Sequence, residues 1–356
     1  MKDRVYVCHT HYHVFVTILK ELNLPREWRG QATLVLSSLS NDFEKIRERI
    51  ESTGLFEEVV EFDEKRDDYF PQLKKWRQGA GNFIGNLWYR IRFTKEYADL
   101  EEEFIPLDFR EYRDIYIYCD SDPIGYYLNQ KRIPYHAMED GLNCLKYFDM
   151  ARYDNRKCFW LKVFLSRKCN LLFVQNGYGK YCIDMEVNDI SAIKYPCPRY
   201  VEVPRQALMN SVKEEDKKLI QQVFVRDRNR LETLLEEIGK VEDKILILTN
   251  PVCSLEIRER IFRDVIAMFE SQGQIFIKAH PRDSLNYGEL FSEYQQFDAM
   301  MPMEVLNFFP GLRFKKVVSI FTEINELSFA EEIVRLGPDF MDRYEDPLIH
   351  RQNEQI

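Results

Sequence analysis

Short apolar runs rich in β-branched residues alternate along this chain with amphipathic helical stretches, and the alternation starts afresh near residue 244. That pattern restricts the fold to βαβ units and mostly parallel sheets. In the first stretch the predicted strands are Arg4–Cys8, Ala32–Leu36, Val59–Phe62, Asp114–Cys119, Pro134–Met138 and Leu171–Val174. Helical patterns follow the first strand, occupy Asn41–Glu51, and open at Asp122-Pro123. Prolines at 196, 198 and 204 suit a linker. The charged stretch Lys213–Lys240 reads as one helix with Leu231, Leu234, Leu235 and Ile238 on one face. Then come predicted strands at Lys244–Leu248, Gln274–Lys278, Asp298–Met301, Val317–Ile320 and Glu332–Leu336, with a helix over Glu256–Ser271. A chain of 356 residues exceeds one ordinary core. The expected architecture is therefore two Rossmann-like α/β domains, 1–205 and 206–356, facing across a cleft.

A hydrophobic share of 45% supplies both cores, and a net charge of −9 argues against a general nucleic-acid binder. No apolar run reaches membrane-spanning length, and Met1-Lys2-Asp3-Arg4 leads straight into a strand without an apolar leader. The expected location is cytoplasmic. Eight scattered cysteines without a C-x-x-C pair read as reduced core residues.

Ligands of open α/β sheets bind outside the carboxyl ends of strands. Met138-Glu139-Asp140-Gly141 lies at one such end and Lys278-Ala279-His280-Pro281 at another. A carboxylate and an imidazole so placed can take a proton from an incoming hydroxyl and give one to a departing group. Locally, Glu139-Asp140-Gly141 also reads as a turn, with glycine at positive φ and a carboxylate capping the next helix. Glu304, after the predicted strand 298–301, suits ribose hydroxyls. Ser319 and Thr322, ahead of a helix predicted near Glu323, suit a phosphate or simple helix caps. Asn250, Lys278 and Pro281 border the same strand ends and join the expected donor-side set.

Three further patterns compete. Asp120-Ser121-Asp122 reads as a D-x-D metal motif or as a helix start, Asp122 capping and Pro123 in the first turn. The helix start is favoured because it is complete without a metal. His9, His11 and His13 alternate; on a strand they would share a face, as a zinc cluster would need. Only Cys8 lies near to complete such a set, and it faces the other way, so this loop reads as lining the acceptor side through Thr10 and His13, with Glu139 and Gly141. Finally, the basic, aromatic region Lys74–Phe93 suits a membrane interface or is an exposed helical face with an apolar stripe.

The order of an acidic-acidic-glycine motif, a His-Pro motif, a downstream glutamate and a Ser/Thr site resembles bacterial sialyltransferases. The opening Val7-Cys8-His9-Thr10-His11-Tyr12-His13 is similar to the N-terminal strand and loop of glycosyltransferase family 52, the lipooligosaccharide sialyltransferases. The resemblance runs from about residue 4 to residue 330. It implies a two-domain GT-B-type fold that holds CMP-sialic acid mainly through its C-terminal half. Asp140 would be the general base, with Glu139 still a rival, and His280 would protonate or hydrogen-bond the leaving phosphate. Glu304 would hold the ribose or cytidine, and Ser319 and Thr322 the phosphate. The implied reaction inverts the anomeric centre and needs no metal or cofactor. The implied partners are a CMP-sugar, a glycan or glycolipid acceptor at the inner face of the cell membrane, and a second copy in a homodimer. The rival readings are a GT-B enzyme using another activated sugar, such as a UDP-hexose, and a non-catalytic nucleotide-sugar-binding protein.

Overall fold

A computed structural model describes residues 1–141, 145, 158–322 and 327–350. The chain forms two compact units, Met1–Val212 and Lys213–Ile356. In the first, seven strands form one sheet in the order β3-β2-β1-β4-β5-β6-β7. They are β1 (Lys2–Cys8), β2 (Ala32–Ser37), β3 (Glu58–Phe62), β4 (Tyr112–Tyr118), β5 (Tyr135–Met138), β6 (Cys182–Val187) and β7 (Tyr200–Glu202). Every pairing is parallel. Interior strands of such sheets are covered on both faces, which is why β2 is buried at each of its positions.

Helix α1 (His11–Leu22) follows β1 directly and turns Val14, Phe15, Ile18, Leu19 and Leu22 inward. A buried bidentate ion pair ties it back to the strand: Arg4 Nε and Nη2 donate to Glu21 at 2.7 and 2.6 Å. Helices α2 (Glu44–Glu51), α3 (Phe83–Glu101) and α4 (Pro123–Gln130) complete the first crossovers. The short α5 (Arg205–Asn210) packs on α1, and Asn23 Nδ2 donates to Leu208 O at 3.0 Å. That packing carries the first unit past residue 205, to Val212.

The second unit has the strand order β10-β9-β8-β11-β12, again wholly parallel. Its strands are β8 (Lys244–Leu248), β9 (Gln274–Lys278), β10 (Gln295–Phe297), β11 (Phe314–Ser319) and β12 (Ala330–Arg335). Helix α8 (Leu255–Phe269) buries Ile261, Phe262 and Val265 against Ile245, Ile275 and Val318.

Several expectations are corrected. Leu171–Val174 is not a strand: Phe173 is buried against the Tyr126 ring, 4.7 Å between centroids, so its apolarity serves side-chain packing without a ladder. The proline-bearing segment contains β7, an edge strand, where proline is tolerated. Lys213–Lys240 forms two helices, α6 (Glu214–Phe224) and α7 (Arg228–Gly239), because Asp227 caps a fresh helix by accepting from Arg230 N at 2.9 Å. Residues 298–301 are irregular, and the strand lies just before them at Gln295–Phe297. The helix expected near Glu323 falls on 323–326, outside the described residues.

Of the chain's glycines, Gly125, in α4, leaves the least room for a side chain. A Cβ there would lie 1.8 Å from the Asp120 carbonyl oxygen, so backbone would have to move. Gly125→Ala is expected to destabilise the first unit by about 3 kcal/mol, the upper range for overpacking. All four tryptophans, Trp28, Trp76, Trp88 and Trp160, lie in that unit. Urea unfolding followed by tryptophan fluorescence therefore reads it selectively, and an unchanged midpoint would refute the close approach.

Candidate functional site

Strand order places the switch point of the first sheet between β1 and β4, since successive crossovers run outward from there in opposite directions. Thr10, the N-cap of α1, accepts from His13 N at 3.2 Å and so sets His13 one turn into the helix. The His13 ring lies flat on Tyr118 at the end of β4, 4.1 Å between centroids. Its Nδ1 accepts the His9 backbone N–H at 3.0 Å, which leaves the ring proton on Nε2. Nε2 donates to Asp140 Oδ1 at 2.6 Å. Burial lowers the His13 pKa, so the ring is a neutral donor. The Asp140 side chain is 46% exposed. Its enclosure opposes ionisation, but the hydrogen bonds from His13 and the Cys119 thiol and the charge of His9 hold its pKa down at about 2. The result is an ionised, partly open carboxylate fixed by a buried imidazole.

A second pair lies beside it. His9 Nε2 bonds Glu64 Oε2 at 2.8 Å, and Asp122 Oδ2 is 3.6 Å from the same nitrogen. Burial alone would depress the His9 pKa. The Glu64 carboxylate outweighs it, with help from Asp122 and Asp140, and raises the pKa to about 9. Glu64 is fully buried and also accepts Ser37 Oγ at 2.7 Å and the Ile124 N–H at 2.8 Å. Asp122 is driven the other way: burial and the charges of Glu64 and Asp140 push its carboxyl up to about 7, against the pull of His9.

These contacts revise the reading of Asp120-Ser121-Asp122. Asp122 stands at the N-cap of α4 with Pro123 after it, yet its side chain caps nothing. It faces His9, and Glu64 takes over the capping of Ile124 N. Asp120 is buried elsewhere, accepting Asn176 N at 2.7 Å and Tyr135 Oη at 3.3 Å, with its pKa raised by burial to about 6. Among the described residues no candidate metal group contains both aspartates. The candidate groups are His9, Cys119 and Asp122, and His13, Cys119 and Asp140, each with ligand atoms within 4.8 Å of one another. Cys119 follows β4 at φ 53°, a left-handed turn that brings its thiol to this edge. Cys8 is buried away from it, bonded to Thr17 Oγ1 at 3.4 Å. A metal held by His13 through Nε2 would have to displace its bond to Asp140, since Nδ1 is taken by the His9 N–H. The alternating histidines do not share a strand face: His11 starts α1 and packs edge-on against Phe43, ring centroids 5.2 Å apart.

Glu139 and Asp140 point to different places. Glu139 is buried and accepts Asn188 N at 2.7 Å, whereas Asp140 meets His13. Gly141 has no positive φ, so the turn does not draw on glycine's conformational freedom there, and the residues that follow it, 142–144, lie outside the described residues. Glu64 and Cys119 stand in no motif of the sequence, and Asp122 reads there only as a metal ligand or a helix cap. Glu64 lies two residues beyond the end of β3, at the edge where β1, β4 and β5 also end, and that position was a readable signal.

In the second unit the switch point falls between β8 and β11. Asn250, just past β8, donates to Thr322 Oγ1 at 3.0 Å and accepts Phe321 N at 3.4 Å. Ser319 is buried, its Oγ donating to Thr322 O at 3.2 Å. His280 N donates to Thr249 Oγ1 at 3.0 Å, and His280 Nδ1 accepts Arg282 N at 3.1 Å. The neutral ring therefore carries its proton on Nε2. Burial, with the charges of Arg282 and Lys278, depresses the His280 pKa to about 4. Asp283, unread in the sequence, organises this loop by bonding Thr249, Tyr287 and, at 2.6 Å, Arg258. Lys278 is buried and donates to the Ala279 and Ala299 carbonyls at 3.2 and 2.9 Å; burial lowers its pKa to about 8 against the pull of Asp298 and Glu304. Glu304 lies in the first turn of a 3₁₀ helix, Met303–Phe308, and burial raises its pKa. Pro281 is exposed.

The family model of glycosyltransferase family 52 matches residues 54–323. Among solved structures, the α/β-galactoside α-2,3-sialyltransferase of Photobacterium phosphoreum is similar at a TM-score of 0.53 and 12% identity, over 93% of this chain and 90% of that one. A 2,6-sialyltransferase of a Vibrionaceae Photobacterium species, solved with the donor product CMP and the acceptor substrate lactose, is similar at 0.56 and 10% identity, over 98% and 75%. The GT-B domain of a Photobacterium damselae sialyltransferase is similar at 0.52 and 10% identity, over 100% and 97%. At such identities the likeness establishes the fold, a GT-B pair of parallel α/β domains. No curated protein matches the sequence.

The raised pKa of His9 makes stability depend on pH. The contribution of the His9–Glu64 pair is present in full below the ordinary histidine value of 6.5 and is lost as pH rises through about 9. Glu64→Gln is expected to flatten the fall in unfolding free energy across that window, measured by tryptophan fluorescence. Identical pH profiles for the two proteins would overturn the assignment.

Proposed function

This chain belongs to glycosyltransferase family 52, and from that premise we propose that it moves sialic acid from CMP-sialic acid to a terminal sugar hydroxyl of a bacterial surface glycan, inverting the anomeric centre without a metal. The observation that carries the reading is the His13–Asp140 pair: an ionised carboxylate, partly open to solvent, held at a strand-end switch point by a buried neutral imidazole. In this reading the acceptor oxygen attacks the anomeric carbon as the bond to the CMP phosphate breaks, and the hydroxyl proton passes to Asp140. A pKa of about 2 makes Asp140 a weak base toward a resting hydroxyl. It suffices late in an oxocarbenium-like displacement, when the attacking oxygen has become strongly acidic. In this reading Glu139, which accepts the Asn188 N–H, supports the strand end and Asp140 takes the proton.

His280 contributes a hydrogen bond first. Neutral at physiological pH, it presents Nε2–H to the leaving phosphate, and the phosphate charge then raises its pKa toward proton transfer. Asn250, Ser319 and Thr322 line the switch point of the second sheet, where a nucleotide phosphate is expected. Glu304 and Lys278 support that edge from within, and Lys278 acts through the backbone carbonyls it holds. The CMP and lactose in the 2,6-sialyltransferase complex match the donor and acceptor classes proposed here.

Thermal unfolding in EDTA with CMP, UDP and GDP tests the donor. CMP alone should stabilise, by about 2.7 kcal/mol at a hundredfold excess over Kd; preference for UDP would assign another activated sugar. Asp140→Asn should lower transfer by roughly 10²–10⁴-fold while CMP binding persists, and His280→Ala should do likewise. Full transfer activity in Asp140→Asn would remove Asp140 as the base.

A further inference from the structure

Three chemically different side chains meet beside the His13–Asp140 pair and have no catalytic part in the transfer proposed above. His9 follows β1, while Cys119 and Asp122 bracket the tight turn that joins β4 to α4, closed by Asp122 N donating to Cys119 O at 2.9 Å. A ring nitrogen of His9, the Cys119 sulfur and a carboxylate oxygen of Asp122 lie within 4.8 Å of one another. The two residues on the turn are three apart in the chain. That is the separation of paired ligands in C-x-x-C zinc sites.

The spacing suits ligands of one ion better than a hydrogen-bonded pair. His9 Nε2 and Asp122 Oδ2 are 3.6 Å apart, too far for a hydrogen bond. Zinc bonds of about 2.0–2.1 Å to nitrogen and about 2.0–2.2 Å to oxygen, opened to the tetrahedral angle, put two such atoms roughly 3.3–3.5 Å apart. Asp122 stands at the N-cap of α4 yet caps nothing, because Glu64 holds the Ile124 N–H, so its carboxylate is left for this edge. Its side chain is 28% exposed, which gives an ion a way in. Glu64 Oε2, 2.8 Å from His9 Nε2, is at hand for a fourth position. The Cys119 thiol bonds Asp140, and when it turns to a metal Asp140 keeps its bond from His13. A set of nitrogen, sulfur and carboxylate oxygen suits zinc, whereas magnesium or manganese calls for oxygen ligands. The neighbouring group of His13, Cys119 and Asp140 is the poorer one. Its imidazole carries the proton on Nε2, with Nδ1 occupied by the His9 N–H.

We propose that His9 Nε2, Cys119 Sγ and the Asp122 carboxylate hold a zinc ion that clips the end of β1 to the turn after β4. Zinc takes the place of the protons on His9 Nε2 and on the Cys119 thiol, and both are released to solvent. This goes beyond the transferase reading and is measured without donor or acceptor, so the failure of either is a separate result. The full chain, stripped with EDTA and dialysed, is titrated with cobalt(II), a spectroscopic stand-in for zinc. One equivalent should give the visible absorption of a tetrahedral site and a thiolate-to-metal band in the near ultraviolet, both removed by competing zinc. Cys119→Ser should abolish the thiolate band and weaken zinc binding by at least roughly 10²-fold, beyond the usual loss from an outer-shell partner. Asp122→Asn should weaken binding but keep the band, and Cys253→Ser, on the second unit, should change neither. Circular dichroism checks that each variant is folded. Zinc should also raise the urea midpoint of the first unit, read by tryptophan fluorescence, because it binds the folded state. A cobalt spectrum without the thiolate band, a spectrum unchanged in Cys119→Ser, or an unmoved urea midpoint would overturn the proposal. So would loss of binding in Asp140→Asn with binding intact in Asp122→Asn, which would assign the ion to His13, Cys119 and Asp140.

Discussion

Parallel pairing of β1 with both β2 and β4 is the constraint on which the first unit's site depends. A parallel sheet delivers the carboxyl end of every strand to the same edge, so His9 after β1, Glu64 beyond β3, Cys119 after β4 and Asp140 after β5 arrive together although 131 residues separate the first from the last. Because the crossovers diverge on either side of the β1–β4 junction, that edge opens there. The second sheet repeats the device, with Asn250 after β8, His280 after β9 and Ser319 at the end of β11.

Within that frame, environment decides what three histidines do. His9 and His13 are both wholly buried, and burial acts on both to expel charge. Glu64, itself buried and otherwise tied to Ser37 and Ile124, reverses the outcome for His9 and leaves it cationic. His13 meets a carboxylate that keeps its own contact with water, and stays neutral. Among the described residues His280 has no carboxylate bonded to it, and it stands near Arg282 and Lys278, so it also stays neutral, as a donor awaiting an anion. The cationic His9 and the aspartates near it form an electrostatic unit in which removing one group moves the others.

Much of the fold was legible because buried parallel strands write themselves as apolar runs: β1, β2, β4, β8 and β9 stand within two residues of the expected bounds. Where apolarity came from another cause, the reading failed. Leu171–Val174 packs side chains without pairing backbone, and β7 is too short and too polar to stand out between prolines. The chemistry-bearing ends were partly legible for the same reason: Asp140 and His280 follow strands whose apolar pattern is strong.

The sequence by itself determined two doubly wound halves, the edges where their chemistry lies, and a strand-end carboxylate and imidazole on those edges. It did so because strand periodicity and turn chemistry are local. Tertiary structure alone decided the partners. It gave Asp140 to His13 and Glu139 to Asn188, turned Asp122 from a helix cap into a neighbour of His9, and recruited Glu64 and Cys119. Neighbouring residues on a strand end diverge with the pleat, and hydrogen bonds are settled by distances of about 3 Å between residues far apart in the chain, which spacing along a sequence does not encode.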